Sequence, residues 1–211
     1  MSAYRRNHEP GGTYFFTVTI KDRHSNLLTQ NIQKLKAAIE IVKQKTPFTI
    51  IALVVLPDHL HTIWQLPLGD SNYSKRWRQI KSEFSKRFAK TEYINESRRK
   101  KNERGLWQRR YWEHTIINNE DLQKHIEYIH YNPVKHGYAK CAADWPYSTF
   151  HIYVKKGIYS KEWGTVGPHD GLRAESSEDI RWSANPSYIT NGSPRPTSRI
   201  GIVAHLTRRM G

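Results

Sequence analysis

Residues 48–66, FTIIALVVLPDHLHTIWQL, decide the fold. The first part, Phe48–Leu56, is apolar and rich in β-branched residues, and Pro57 follows it as a turn residue. The second part, His59–Leu66, alternates between polar and apolar side chains over much of its length. Short apolar or alternating runs bounded by turn residues are typical of strands. The stretch therefore predicts two strands that pair through a tight turn.

The segments on either side of this hairpin predict further strands and helices. Upstream, Thr13–Ile20 is expected to be a strand and residues 31–45 an amphipathic helix that Pro47 ends. Downstream, the pattern predicts these elements: a basic helix over 74–90, a strand over 106–117, a helix over 119–132 that Pro133 closes, and a short helix over 148–156. Residues 91–105 are polar and charged, which favours a mobile loop. The order predicts an α+β fold with a ferredoxin-like split β-α-β-β-α-β antiparallel sheet, helices on one face, and an extended C-terminal tail.

The composition bounds the domain organisation and the compartment. The chain has 211 residues and one Cys, which excludes a disulfide framework and a Cys-rich zinc module. Its longest apolar run is far shorter than a membrane span, and its first residues lack the apolar core of a secretory leader. We therefore expect a cytoplasmic protein with one domain over 1–160. Residues 161–211 are expected to be a poorly structured tail, because Gly, Pro and Ser are frequent there.

The charge indicates a polyanionic partner. The chain has 34 Lys and Arg against 19 Asp and Glu, a formal net charge of +15. Residues 73–110 hold 14 of these cations and only four acidic residues, so that two-thirds of the net charge lies in this stretch. Aromatic residues alternate with the cations. Basic groups neutralise phosphates and aromatic rings stack on unpaired bases, so the stretch is typical of single-stranded nucleic-acid binding.

Two groups of residues could carry chemistry. His59 and His61 are two apart in a strand, so both imidazoles are expected on one face, where they can bind one divalent ion. In the helix over 119–132, the apolar residues form a core stripe, and a polar stripe runs beside it: Asp121, His125, Tyr128 and Asn132. Tyr131 falls nearly opposite the core stripe, so helix geometry favours Tyr128 as a nucleophile. Taken singly, an H-x-H pair is more often a surface feature and a Tyr more often a core residue.

Together these features resemble the HUH single-strand nucleases, and among them the REP-associated tyrosine transposases. The resemblance covers about residues 1–160 and rests on seven motifs: YRR (4–6), GGTYFFTV (11–18), LPDHLHTIW (56–64), RWRQIK (76–81), LWQRRYWEH (106–114), YIHYNPVKHGY (128–138) and DWPYST (144–149). The charged stretch at 92–104 is longer than is usual in that family, and the tail beyond Gly164 matches no pattern of it.

The resemblance implies a transposase-like endonuclease and strand transferase that acts on single-stranded DNA carrying hairpins of repetitive extragenic palindromes (REP). It implies that Tyr128 attacks a phosphate and forms a 5′-phosphotyrosine intermediate, with Mg²⁺ or Mn²⁺ held by His59, His61 and Asn132. His125 is a candidate accessory residue that helps Tyr128 to ionise. The cations expected to hold DNA are Arg5, Arg6, Lys75, Arg76, Arg78, Lys81, Arg109 and Arg110.

Two rival functions remain open at this point. One is a non-catalytic protein of ferredoxin-like fold that binds single-stranded nucleic acid, although the aromatic signature of RNA-recognition domains is missing. The other is a metal-dependent hydrolase that uses water as the nucleophile, although few acidic ligands lie near the histidine pair. The oligomeric state is also open, since the sequence allows a monomer or a homodimer.

Overall fold

The computed structural model describes residues 7–165, and it contains one four-stranded sheet in the order β2-β3-β1-β4. The strands are β1 (Thr13–Thr19), β2 (Thr49–Val55), β3 (His59–Gln65) and β4 (Trp112–Thr115). All neighbouring strands are antiparallel, and β2 pairs with β3 through the turn at Pro57. The predicted antiparallel sheet and the α+β class are confirmed. The strand β3 lies inside the sheet, and all of its residues except Gln65 are buried, so both of its faces are covered.

Six α-helices and one 3₁₀ turn accompany this sheet among residues 7–165. Their bounds are α1 (Leu27–Gln30), α2 (Ile32–Lys45), α3 (Tyr73–Ser85), α4 (Glu96–Lys100), α5 (Asn119–Lys135), α6 (Phe150–Lys155) and the 3₁₀ turn (Ala142–Asp144). The sequence predicted α2, α3, α5 and α6 but missed the short elements. The basic helix α3 ends at Ser85, earlier than predicted.

Helices were predicted on one face of the sheet only, but different helices cover the two faces of β1. Tyr14, Phe16 and Val18 share one face and are fully buried in a core that includes apolar side chains of α2 and α3. Burial of each such side chain contributes roughly 1.5–3 kcal/mol to folding. Phe15 points to the opposite face, where α5 lies against the sheet and the ring centroid of Tyr128 is 5.9 Å from that of Phe15. The side chains of His59 and His61 belong to this second face, because Thr17, which is on the same side of β1 as Phe15, pairs with His61.

The end of α5 differs from the prediction. Pro133 was expected to close the helix, but it lies inside the helix, which continues to Lys135. The stop signal is Gly137, which has φ +70°. The amide of Gly137 donates to the carbonyl of Val134, and the amide of Tyr138 donates to the carbonyl of Pro133. This pair of bonds is the Schellman motif that ends helices at glycine.

Residues 91–105 were predicted to be a mobile loop, but they include the helix α4, and two arginines hold the segment by hydrogen bonds. Arg98, which is nearly buried in α4, donates to the carbonyls of Arg104 and Trp107 at 2.6 and 3.0 Å. Arg104 forms an ion pair with Glu92 and donates to the carbonyls of Ser85 and Phe88. Guanidinium groups thus satisfy main-chain oxygens that water would take in a mobile loop.

The chain divides into two compact units. Among the described residues, the first unit ends at Asn132 and also takes in Pro146–Thr149, and the second consists of Pro133–Trp145 and residues 150–165. The first unit carries the sheet and every candidate site residue that the structure describes. In the second unit, stacked rings of Phe150, Tyr159 and Trp163 form a small aromatic cluster. Among residues 7–165 there is no helix long and apolar enough to cross a bilayer. The tail predicted over 161–211 lies almost wholly outside the described residues.

Candidate active site

The two histidines of β3 lie side by side on the sheet face that α5 covers. His59 and His61 are 4% and 3% exposed, and their ring centroids are 4.9 Å apart. They are nearest neighbours on that face because strand residues two apart point the same way. The predicted pair of imidazoles is therefore present, close together and shielded from solvent.

Each ring of this pair is oriented by a neighbouring side chain. His59 Nδ1 is 2.6 Å from Asp58 Oδ1, and Asp58 Oδ2 is 2.6 Å from Arg23 Nε. His61 Nδ1 is 2.8 Å from Thr17 Oγ1 on the adjacent strand. Burial opposes ionisation of Asp58, but the contacts with His59 and Arg23 outweigh it and lower the pKa of Asp58. With Nδ1 occupied on both rings, a metal ion would bind through Nε2, and outer partners of this kind fix the ring and its tautomer.

Tyr128 reaches this pair from α5. Its ring centroid is 5.2 Å from that of His61, and the planes are nearly perpendicular. Burial raises the pKa of Tyr128 to about 12, and the Asn132 side chain acts against that rise. The hydroxyl is therefore protonated at neutral pH in this state of the protein. The structure brings Tyr128 to the histidines, as the helix-face argument expected, and its role as nucleophile stays a prediction.

Asn132 lies one turn beyond Tyr128 and has an unusual environment. The residue is fully buried, and within residues 7–165 neither its Oδ1 nor its Nδ2 has a hydrogen bond of normal geometry. A buried amide without partners costs about 1–3 kcal/mol, so it is rare unless something else binds it. Two imidazoles and an amide oxygen on one face fit a divalent ion.

The position of α5 is fixed by residues that the sequence did not single out. His130, which is completely buried, bonds through Nε2 to Thr149 Oγ1 at 3.0 Å. The main chain of Thr149 donates in turn to the carbonyl of Leu53, and Ser148 forms a β-bridge with Val54. The DWPYST motif thus attaches α5 to the edge of the sheet at β2. The role of Thr149 in holding α5 could not be predicted from the sequence. It depends on the contact of Thr149 with Leu53, which lies 96 residues away in the chain.

His125 was predicted as an accessory residue. Its Nδ1 lies 2.9 Å from the carbonyl oxygen of Asp121 and 3.0 Å from Asp121 Oδ1. Its ring centroid is 4.9 Å from that of Phe15, which in turn touches Tyr128. Burial lowers the pKa of His125 despite the neighbouring carboxylate, so the ring is neutral at pH 7. The structure therefore gives His125 a fixed bond to Asp121 and an indirect contact with Tyr128 through Phe15.

The predicted DNA-binding cations fall into several groups. Arg5 and Arg6 lie outside the described residues. Lys75 and Arg78 are exposed and line a polar depression at the start of α3 with Asn72 and Ser74. The remaining three lie further along the same stretch: Lys81 donates to the carbonyl of Gln108, Arg109 pairs with Glu103, and Arg110 is exposed.

Arg76 is the exception, and the prediction that it contacts DNA needs correction. It is 2% exposed and forms two bonds with the carboxylate of Asp70, at 3.2 and 2.7 Å. It also donates to the carbonyls of Thr46 and Pro47, which end α2. All of its donor groups face inward, so Arg76 ties α3 to the end of α2 and is not available to a phosphate.

The chain is similar to known proteins of one family. The family model described as "Transposase IS200 like" matches residues 11–132, more than half of the chain. The REP-associated tyrosine transposase of Escherichia coli K12 is 47% identical over 163 residues, which are 77% of this chain and 91% of that protein. A relative from Haemophilus influenzae is 45% identical over 165 residues, 78% of this chain and 94% of its own length.

A solved structure gives the same result for the fold. A REP-associated tyrosine transposase bound to a REP hairpin is 44% identical and superimposes with a TM-score of 0.67. The match covers 83% of this chain and 98% of that structure. The range matched by the family model, residues 11–132, contains the whole sheet and Tyr128. The chain therefore belongs to the IS200-like transposase family, among its REP-associated tyrosine transposases.

Proposed function

We propose that this transposase cuts and joins single-stranded DNA that carries REP-type hairpins, with Tyr128 as the nucleophile and a divalent ion at His59, His61 and Asn132. The observation that carries the proposal is the approach of Tyr128 to His61, with ring centroids 5.2 Å apart, inside one chain. The family membership makes the protein a DNA-processing enzyme, and the relative of known structure binds a REP hairpin. Since DNA is the substrate, the proposal places the protein in the cytoplasm.

The chemical step forms one bond and breaks one bond. The Tyr128 hydroxyl oxygen attacks the phosphorus in line and loses its proton, the bond from phosphorus to the 3′ oxygen breaks, and that oxygen takes up a proton. The product is a 5′-phosphotyrosine and a 3′-hydroxyl end. Because the phosphoester is exchanged and not hydrolysed, a 3′-hydroxyl can later attack the intermediate and rejoin DNA without ATP.

The residues around Tyr128 prepare this step. Asp58 and Thr17 hold the imidazoles, and the burial of the site keeps water away from the phosphotyrosine bond. The tyrosine pKa of about 12 has to fall for attack, and the Asn132 side chain contributes in that direction. Mg²⁺ or Mn²⁺ bound at the site would orient the phosphate and withdraw charge from its oxygens. An amide oxygen and imidazole nitrogens can bind either ion, and Mn²⁺ binds imidazole more readily than Mg²⁺ does.

The exposed cations bind the DNA through its phosphates. Lys75 and Arg78 at the start of α3, together with Arg109 and Arg110 before β4, are accessible to phosphates. Counterion release makes such binding steeply dependent on salt. A DNA affinity that does not change with salt concentration would contradict this part of the proposal.

The test is the formation of a covalent protein–DNA band on hairpin-bearing single-stranded DNA with Mg²⁺ or Mn²⁺. We expect the wild-type protein to form the band, and Tyr128→Phe to lose it while it still binds the DNA. The matched control is Tyr131→Phe. It removes a tyrosine hydroxyl three residues further along the same helix, and it should keep the band.

Other outcomes identify the rivals. A band that survives Tyr128→Phe and disappears in Tyr131→Phe would refute the assignment of the nucleophile. Cleavage that survives both changes but is lost in His59→Ala would favour the hydrolase. Tight binding without cleavage by the wild-type protein under every metal condition would favour a binding protein.

A further inference from the structure

A second cluster of metal-binding side chains lies beside the first, and the proposed chemistry does not use it. It consists of His114 on β4 and of Asp121 and His125 in the first turns of α5, and each offers a ligand atom within 4.8 Å of the others. His114 Nε2 is 2.9 Å from Asp121 Oδ2, and His125 Nδ1 is 3.0 Å from Asp121 Oδ1. Around an ion with bonds of about 2.0–2.1 Å, tetrahedral ligands lie roughly 3.3 Å apart. The cluster is therefore close to the size of a coordination shell.

The environment of the cluster suits a cation. Asp121 and His125 are 16% and 14% exposed, whereas His114 is 34% exposed and leaves a path from solvent. No Lys or Arg among the described residues pairs with Asp121, whose side-chain partners are the two imidazoles. The amide of Ile117 donates to Asp121 Oδ2 and holds the carboxylate in place.

The cluster is distinct from the histidine pair on β3. Phe15, which is fully buried, separates them: its ring centroid is 5.6 Å from His61 on one side and 4.9 Å from His125 on the other. On the sheet, Phe15 pairs with His114 on β4, whereas its neighbour Thr17 pairs with His61 on β3. The two groups of ligands therefore lie on the same face of the sheet. The side chain of Phe15 on β1 lies between them.

We propose that His114, Asp121 and His125 form a second divalent-metal centre, which binds a borderline transition ion such as Zn²⁺ in preference to Mg²⁺. Two imidazoles and one carboxylate are a donor set that suits Zn²⁺, and the exposed side leaves positions for water. An ion here would link His114 on β4 to Asp121 and His125 on α5. His125 lies three residues before Tyr128. Its role is to fix the end of the helix that carries the tyrosine, so the centre is a structural clamp outside the reacting atoms.

The test measures metal binding without DNA, so that it does not depend on the proposed cleavage. The full-length protein carries His59→Ala and His61→Ala, which removes the first site, and is titrated with Zn²⁺ by calorimetry and with Co²⁺ by visible absorption. We expect one equivalent of bound ion and Co²⁺ bands typical of imidazole and carboxylate ligands. Adding Asp121→Asn should weaken binding by more than roughly tenfold, because loss of an outer partner alone costs 10–100-fold.

Two further variants make the result decisive. Glu120→Gln removes the neighbouring carboxylate, which is exposed and paired with Lys124, and should leave binding unchanged. His114→Gln, on the more exposed ligand, should weaken binding as Asp121→Asn does, and it covers the case in which Asp121→Asn unfolds the start of α5. Absence of Zn²⁺ and Co²⁺ binding in the protein without the first site would overturn the proposal. Binding that Asp121→Asn and His114→Gln both leave unchanged would overturn it too.

Discussion

The two imidazoles on β3 depend on different kinds of neighbour. Asp58 precedes His59 in the chain and carries a charge, whereas Thr17 reaches His61 from the adjacent strand and is neutral. The charged neighbour both fixes the ring and makes its other nitrogen a better ligand. Asp58 is therefore expected to matter more for metal affinity than Thr17 does.

Asp58→Asn should raise the Mg²⁺ or Mn²⁺ concentration needed for half-maximal cleavage by about 10- to 100-fold, because the acceptor for His59 Nδ1 loses its charge. The measurement is a metal titration of cleavage at fixed DNA. Asp22→Asn, which neutralises an exposed carboxylate nearby, serves as the control and should leave the metal requirement unchanged. An unaltered requirement in Asp58→Asn would show that Asp58 does not support the site.

At this scale the sequence predicted what lies on one element and missed what crosses between elements. His59 and His61 share a face by strand alternation, and Tyr128 and Asn132 share one by helical spacing, so local geometry was enough. Thr17 could not be found, since its contact with His61 follows from the register of β1 against β3. The place of Asn132 in the helix was predictable, but its lack of hydrogen bonds was not.

Neighbouring cations on α3 show how one element divides its charges. Arg76 is buried on Asp70 and main-chain carbonyls, whereas Arg78, two residues on, is exposed. In a helix, residues two apart point about 200° away from each other, so one faces the core and the other faces solvent. Composition alone counts both as candidates for DNA binding.

Arg76→Met should lower the free energy of unfolding by about 1–3 kcal/mol, because it leaves Asp70 and three main-chain carbonyls without their partner. Arg78→Met should change that free energy by no more than about 0.5 kcal/mol. It should instead weaken DNA binding and reduce the slope of log affinity against log salt by about 0.7. Urea unfolding and binding at several salt concentrations measure the two effects. Equal stability of both variants would contradict the division of roles.

The 92–104 segment is held by a carboxylate as well as by its arginines. The hydrogen bonds from Arg104 are the main reason that the pKa of Glu92 falls from 4.5 to about 2. A lowered carboxylate pKa stabilises the folded state above the ordinary pKa, and the effect is lost as pH falls through the folded value. The stabilisation is thus complete above about pH 5 and declines between there and pH 2.

Glu92→Gln should therefore lower the free energy of unfolding by about 2 kcal/mol at pH 7, and by progressively less below about pH 5. Urea unfolding of the variant and the wild type across this range measures the difference. The control is Glu96→Gln in α4, whose pair with Lys100 is largely exposed and should contribute less than about 0.5 kcal/mol. A loss in Glu92→Gln that does not depend on pH would be incompatible with an ionised Glu92 paired with Arg104.

Composition misled at the element scale for a physical reason. A run of Lys, Arg and Glu is typical of solvated loops, but Arg98 and Arg104 turn inward to bind main-chain carbonyls, and such contacts leave no local signature. Pro133 was misjudged in a similar way. Its missing amide hydrogen costs the helix one bond, but the helix continues past it to Lys135 and ends at the glycine motif of Gly137.

For the whole molecule, the main result is that one chain supplies all four residues of the proposed site. His59 and His61 come from the sheet, and Tyr128 and Asn132 come from a helix that packs on the same sheet. The sequence left a monomer and a helix-exchanged homodimer open. A site within one chain needs no partner to complete it.

Mixing His61→Ala protein with Tyr128→Phe protein should therefore not restore cleavage, since neither chain holds both the histidine and the tyrosine. The measurement is the yield of covalent adduct in the mixture, after joint unfolding and refolding to allow exchange of subunits. Recovery of a substantial fraction of wild-type yield would show that the helix is exchanged between two chains.

The most direct test of the account is to find the residue that carries the DNA. The covalent adduct, formed by the wild-type protein on hairpin-bearing single-stranded DNA, is digested with nuclease and protease and mapped by mass spectrometry. We expect a nucleotide on Tyr128, attached through its 5′ phosphate. A nucleotide on Tyr131 or on any other residue, or attachment through a 3′ phosphate, would contradict it.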